Sequence, residues 1–238
     1  MSKRTAATSV ATRASMFACA LGLSFSLLGI PAASAITWNF NTPDPPSLPN
    51  TTLGTTQTYT AGGLTITAAG FSASTLQGDG TRSITGGPLN LYSKLDTGNP
   101  TGSENGVGLA ADLDHEIVAP NHLVRVALPT GLTGLSFKMG STTDGEGWQV
   151  YGSQLALTGY SLLTSGFDES THLLAGVFNY LFFRTTGESG ESNTLLAQIS
   201  GTVAAVPLPP ALLLFGTALA GLGILGRRRK KQHPAQAV

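Results

Sequence analysis

The sequence predicts an all-β protein: a single β-sandwich of jelly-roll type, flanked by an N-terminal signal peptide and one C-terminal transmembrane helix. Three observations predict it. Short β-favouring runs alternate with glycine- and aspartate-rich turn clusters across residues 36–205. No apolar stripe of helical period and useful length interrupts them. The charges are segregated along the chain, which sets both ends apart from the middle.

The 238 residues carry 13 basic and 13 acidic side chains, a formal net charge of zero. Every acidic residue lies between Asp44 and Glu191. Residues 36–205 hold five basic against 13 acidic side chains, a net −8, and the two ends supply the compensating +8. Only 11% of residues are charged and 41% are apolar, which excludes a charge-solvated disordered chain. The length allows one or two domains with a sizeable core. An acidic middle disfavours nucleic acid and anionic lipid, leaving neutral glycans, basic partners or divalent cations as the plausible companions.

Residues 1–35 read as the signal peptide. Lys3, Arg4 and Arg13 form its positive region, residues 16–30 its uncharged apolar run, and Ala33 and Ala35 its small-x-small cleavage site, with Ile36 as the new N-terminus. The implied partners are the general secretion machinery and a signal peptidase. Cys19 is the sole cysteine, and most of the apolar run follows it, so it does not sit at a lipidation site. It leaves with the leader, so the remaining chain has no disulfide and no thiol nucleophile.

Residues 36–205 contain 24 glycines and 41 serines plus threonines. Strand-forming runs fall at 36–40, 64–68, 122–128, 132–139, 148–151 and 195–203. In the second, Leu64, Ile66 and Ala68 alternate with threonines, the period of two of a half-buried strand. Gly62-Gly63, Asp79-Gly80, Gly86-Gly87-Pro88 and Asp144-Gly145 mark turns between runs, and the proline-rich stretch 43–49 an early loop. Such regularly spaced strands in one domain give the sandwich.

Residues 206–226 carry no charge. At 1.5 Å rise per residue, a fully helical run of this length just spans a hydrocarbon core of roughly 30 Å. Proline is tolerated in a first helical turn, which places the helix start near Pro210. Four glycines lower its helix propensity. Arg227, Arg228, Arg229, Lys230 and Lys231 follow at once, a basic stop that stays cytoplasmic. The plainer alternative is an ordinary single-span tail anchor.

Val206-Pro207-Leu208-Pro209, the glycine-rich span about 207–226 and the terminal arginines together resemble a PEP-CTERM sorting domain, in the variant whose Pro-Glu-Pro signature is replaced by Val-Pro-Leu-Pro. The resemblance covers residues 206–238. It implies recognition by an exosortase-like protease at the inner membrane of a Gram-negative bacterium. The membrane-anchored precursor would then be cut near the proline motif and released to the cell surface or extracellular polysaccharide. Gln232 to Val238 extends past the basic run, which departs mildly from the pattern. Three phrases within residues 90–203 also resemble β-sandwich ectodomains of that group: Glu104-Asn105-Gly106-Val107-Gly108-Leu109, Asp114-His115-Glu116-Ile117 and residues 140–148. They imply an exported structural or interaction protein and no particular ligand.

Asp112-Leu113-Asp114-His115-Glu116 is the densest polar cluster. In a strand, Asp112, Asp114 and Glu116 would share one face. Three such carboxylates repel unless a cation separates them, and Ca²⁺ wants six to eight oxygen ligands. Asp144 and Glu146 would join from a neighbouring loop. The alternative is a solvated turn, since EF-hand spacing is absent. His115, His122 and His172 invite a search for a catalytic triad, yet there is no Gly-x-Ser-x-Gly elbow, Walker motif, dinucleotide fingerprint or zinc spacing. The expectation is a non-enzyme with no cofactor apart from this calcium option. Trp148, after a glycine-rich turn, is the best candidate for stacking on a sugar ring, as in a carbohydrate-binding module; core packing is its competing role. A secreted glycan-active enzyme is the remaining alternative.

Overall fold

The computed structural model describes residues 33–40, 50–95, 104–118, 121–142, 146–186 and 193–203, together with Phe215, Ala218, Leu219 and Leu222. Residues 33–204 form one compact unit. Its described strands are β1 (Ser34–Asn39), β2 (Thr51–Thr52), β3 (Thr56–Ala61), β4 (Leu64–Phe71), β5 (Ser74–Leu76), β6 (Arg82–Ile84), β7 (Pro88–Leu89), β8 (Leu91–Leu95) and β9 (Asn105–Leu109). After a 3-10 turn (Leu113–His115) come β10 (Ile117–Val118), β11 (Leu123–Ala127), β12 (Leu132–Gly140), β13 (Trp148–Ser153), β14 (Ser161–Gly166), β15 (Thr171–Leu173), β16 (Tyr180–Thr185) and β17 (Asn193–Val203). The all-β expectation holds. Each of the six sequence-predicted runs falls on a strand: β1, β4, β11, β12, β13 and β17.

The strands pair antiparallel in two large sheets. The eight-stranded sheet runs β15-β12-β17-β9-β8-β2, with β1 and β10 also paired to β17. The seven-stranded sheet runs β14-β13-β16-β11-β4-β3, with β7 on β4. β5 and β6 form a separate hairpin. The Gly62-Gly63 signal closes the β3–β4 hairpin. Ala61 pairs with Leu64, and both glycines take the positive φ (55° and 76°) that a two-residue type I′ turn requires.

Alternation explains which side of each strand is buried. In β4, Ile66 and Ala68 point into the core while Thr65 stays exposed. One apolar cluster draws Trp38, Leu91, Val107, Phe137 and Ile199 from the eight-stranded sheet and Tyr59, Ile66, Val124, Trp148 and Phe183 from the seven-stranded sheet. A fully buried side chain of this size contributes about 1.5–3 kcal/mol relative to exposure. A second, smaller cluster of Leu123, Tyr151, Tyr160 and Phe182 lies on the other face of the seven-stranded sheet: Leu123, Tyr151 and Phe182 alternate with Val124, Val150 and Phe183, and Tyr160, just before β14, stacks on Phe182.

β17 organises the region where the polar residues gather. Along one edge it pairs with β12. Along the other it meets β1, then β9 through Leu196, then β10 through Asn193 and Thr194. Ser34 and Ala35 of the expected cleavage site are the first two, exposed, residues of β1, opposite Val203 and Thr202. Ile36 and Trp38 are the β1 residues that reach the core.

No helix among the described residues is long and apolar enough to cross a membrane. Within 206–238, Phe215, Ala218, Leu219 and Leu222 are helical and exposed. They are spaced three, four and seven residues from the first, as on one helix face. The sorting motif Val206–Pro209, the basic stop, the proline stretch 43–49 and the Asp144-Gly145 turn lie outside the described residues.

Candidate functional site

The structure gathers the three phrases singled out in the sequence around one polar pocket of about 330 Å³. It is lined by Lys94 from β8, Glu104 just before β9, Asp114 and Glu116 around the 3-10 turn, Ser141 and Glu146 beyond β12, and Asn193 at the start of β17. Glycine makes the approach possible. Gly108 of β9 pairs with Tyr92, and the segment carrying Glu116 crosses directly over it. A Cβ on Gly108 would lie 2.2 Å from the His115 carbonyl oxygen and 2.8 Å from the Glu116 Cα.

Residues 112–116 form a turn, the alternative to a strand, and this corrects the shared-face arrangement of Asp112, Asp114 and Glu116. Asp114 and His115 have φ of 57° and 62°, left-handed values that turn the chain out of the extended conformation on which a period of two depends. The three carboxylates therefore part. Asp112 accepts from the Val118 backbone N–H at 3.0 Å and from His122 Nδ1, closing its own loop outside the pocket. Asp114 is exposed at the pocket rim. Glu116 is buried, its side chain 3% exposed.

Glu116 Oε1 accepts from the Lys94 ammonium and from the Ser141 hydroxyl, the latter at 2.9 Å. Lys94 also reaches Glu104 Oε2 at 3.0 Å. Burial raises the Glu116 carboxyl above its ordinary range, outweighing Lys94 and Ser141, which pull it down. Burial alone would depress Lys94, but Glu116 and Glu104 together raise it. The lysine is thus held charged between two carboxylates. Glu116 Oε2 and Asn193 Oδ1 are both buried without a hydrogen-bond partner. A buried acceptor left unmatched costs about 1–3 kcal/mol, so these two oxygens are the reactive feature of the pocket. Glu146 Oε1 accepts from the Asn193 backbone N–H at 3.3 Å, tying the segment after β12 to β17.

Of the expected site residues, Glu116, Asp114 and Glu146 come together, and Asp112 does not. Lys94 and Asn193 were missed. Lys94 was legible only as one of five cations in an acidic middle; Asn193 left no signal, because strand register alone brings it to Glu116. Among the described residues, no three His, Cys, Asp or Glu side chains converge into a ready metal cage.

Trp148 is corrected as well. It is fully buried, edge-on to Phe137 with ring centroids 5.1 Å apart, and its indole N–H donates to the Asp168 carbonyl at 2.8 Å. A Cβ on Gly166 would strike its ring at 2.4 Å. With neither face open, it cannot stack on a sugar, and core packing is its role. His172 forms no relay either. Ser170 Oγ and Asp168 Oδ1 both lie against the same His172 nitrogen, Nε2, at 3.1 and 2.8 Å. A relay needs serine on one ring nitrogen and carboxylate on the other. His115 instead stacks on Tyr92 at 4.0 Å.

Fold and pocket together define an antiparallel all-β chain with an acidic, oxygen-rich cleft at one end of its central strand. The chain matches no family model, no curated protein and no solved structure.

Proposed function

We propose that this chain is an exported, non-catalytic structural or interaction protein of the cell surface or extracellular matrix, sorted by an exosortase-type C-terminal signal. The leader is cut after Ala35, and residues 36–205 work as a single β-sandwich. Val206 to Pro209 are recognised by the protease. The following apolar span anchors the precursor in the inner membrane, and Arg227 to Lys231 stop its transfer. One observation carries the reading: the compact unit is bounded at residues 33 and 204, close to the boundaries that the leader and tail motifs set. The apolar cluster fed by both large sheets supports the sandwich. The working domain is then acidic and free of cysteine.

Mass spectrometry of the product released by cells making the full chain tests this reading. The expected product begins at Ile36 and lacks the basic cluster. A released protein that still carries Arg227 to Lys231 overturns the sorting step. Replacing Val206, Pro207, Leu208 and Pro209 by alanine should leave the uncut precursor in the membrane fraction.

A further inference from the structure

We propose that the pocket around Glu116 and Asn193 is a binding site for a divalent cation of calcium type. Glu116 Oε2 and Asn193 Oδ1 are its inner protein ligands, and Glu146 and Asp114 stand at its rim. The inference is independent of how the chain is sorted.

The unmatched groups decide the chemistry. Both buried oxygens without partners are acceptors, so the missing component is a donor of hydrogen bonds or a cation. The one ammonium among the described lining residues, Lys94, is already committed to Glu104 and Glu116 Oε1. Among the described lining residues, four carboxylates stand against that single lysine, a net charge of −3. A neutral sugar would leave this charge uncompensated and would find no aromatic ring in the lining to stack on. A cation answers both demands at once.

The donor set then narrows the ion. The described lining residues offer carboxylate, amide and hydroxyl oxygens and no histidine or cysteine, which suits a hard cation over zinc or copper. Because no three carboxylates converge among the described residues, the ion would complete its shell with water. Ca²⁺ accepts six to eight oxygens in flexible geometry, including amide carbonyls and water, whereas Mg²⁺ demands a near-ideal octahedron. With so few protein ligands, the affinity should fall at about 10⁻⁴ to 10⁻³ M, the range of extracellular calcium modules.

The test is calorimetric titration of the full chain, purified in detergent and stripped with chelator, with CaCl₂ and separately with MgCl₂. The melting temperature is followed in parallel. Saturable heat with Ca²⁺, a raised melting temperature and weaker Mg²⁺ binding are expected. Asn193→Ala and Glu146→Gln should each weaken Ca²⁺ roughly tenfold or more while the circular dichroism of the strands is kept. Glu116→Gln should abolish binding. Because that change leaves Lys94 short of a counter-charge, Asn193→Ala is the deciding variant. No heat at millimolar Ca²⁺ overturns the proposal and leaves a water-filled pocket. Unchanged Ca²⁺ binding in both Asn193→Ala and Glu146→Gln overturns it too, by placing the ion elsewhere. Equal, non-saturating heats for both metals overturn it in favour of diffuse screening.

Discussion

Gly108→Ala tests the close crossing on which the pocket depends. The new methyl carbon would lie 2.2 Å from the His115 carbonyl oxygen, whereas ordinary contact begins near 3.4 Å, so one backbone must retreat by more than an ångström. Neither backbone is free to do so. β9 is held between β8 and β17. The crossing segment is pinned by the β10–β17 pairing and by the Asp112 carboxylate on the Val118 N–H. Overpacking against atoms that cannot rotate away costs about 1–3 kcal/mol. The reduced freedom of the unfolded alanine chain returns about 0.4–1 kcal/mol. The net expectation is a loss of up to about 2.6 kcal/mol, and about 1–3 kcal/mol relative to a glycine-to-alanine change that meets nothing. Urea denaturation followed by tryptophan fluorescence measures it, since Trp38 and Trp148 are both buried. Gly78→Ala is the control: its Cβ meets nothing within 4 Å, and it should be neutral or slightly stabilising. A Gly108→Ala midpoint equal to that of the control, at unchanged slope, would refute the close-crossing argument.

Three further outcomes follow from other parts of the molecule. Trp148→Ala should destabilise by about 3–5 kcal/mol in the same denaturation, because it empties a fully buried site; a loss below about 1 kcal/mol would contradict the core assignment. The hydrogen bond from Asp112 raises the His122 pKa above its ordinary 6.5 against the opposing effect of burial, so its stabilisation is complete below 6.5 and disappears as pH rises through the folded value. NMR titration should place the ring above 6.5, and His122→Gln should lack that pH-dependent loss. Hydrogen bonds from Ser170, with help from His172, lower the Asp168 carboxyl to about 2, so its contribution is present above 3.8 and fades as pH falls through the folded value. A carboxyl titrating near 4 in the NMR spectrum would refute that network.

The strongest strands were legible because their side chains alternate or form unbroken apolar runs. β4 and β17 are examples, and the Gly-Gly turn after β3 was legible from its composition alone. β3 was not, since Thr56–Ala61 buries only Tyr59 and otherwise reads as polar chain. Periodicity could offer a shared face at 112–116 only on extended backbone, and Asp114 and His115 are left-handed without being glycine. Trp148 was left between stacking and core packing because a neighbouring glycine turn signals exposure as readily as close packing; here Gly166 leaves room for the ring on the adjacent strand. The pocket was legible as phrases and illegible as a site. Glu104 and Glu146 stood out as acids in glycine-rich surroundings and Glu116 as part of the densest polar cluster, but what brings them to Lys94 and Asn193 is set by the β8–β9 and β10–β17 registers.

The pairing of β1 with β17 also has a mechanical consequence. Ser34 sits opposite Val203 on the first of six rungs, so the chain enters and leaves this sheet side by side. A force drawing these two ends apart would load the ladder one rung at a time, because antiparallel hydrogen bonds lie across the strands and open like a zipper. Resistance to such a pull would be low; in the product that begins at Ile36, failure would travel from the Ile36–Gly201 rung toward Asn39, drawing Ile36 and then Trp38 out of the core. A protein tethered by both ends would therefore yield early, whereas one tethered by a single end would never feel that load.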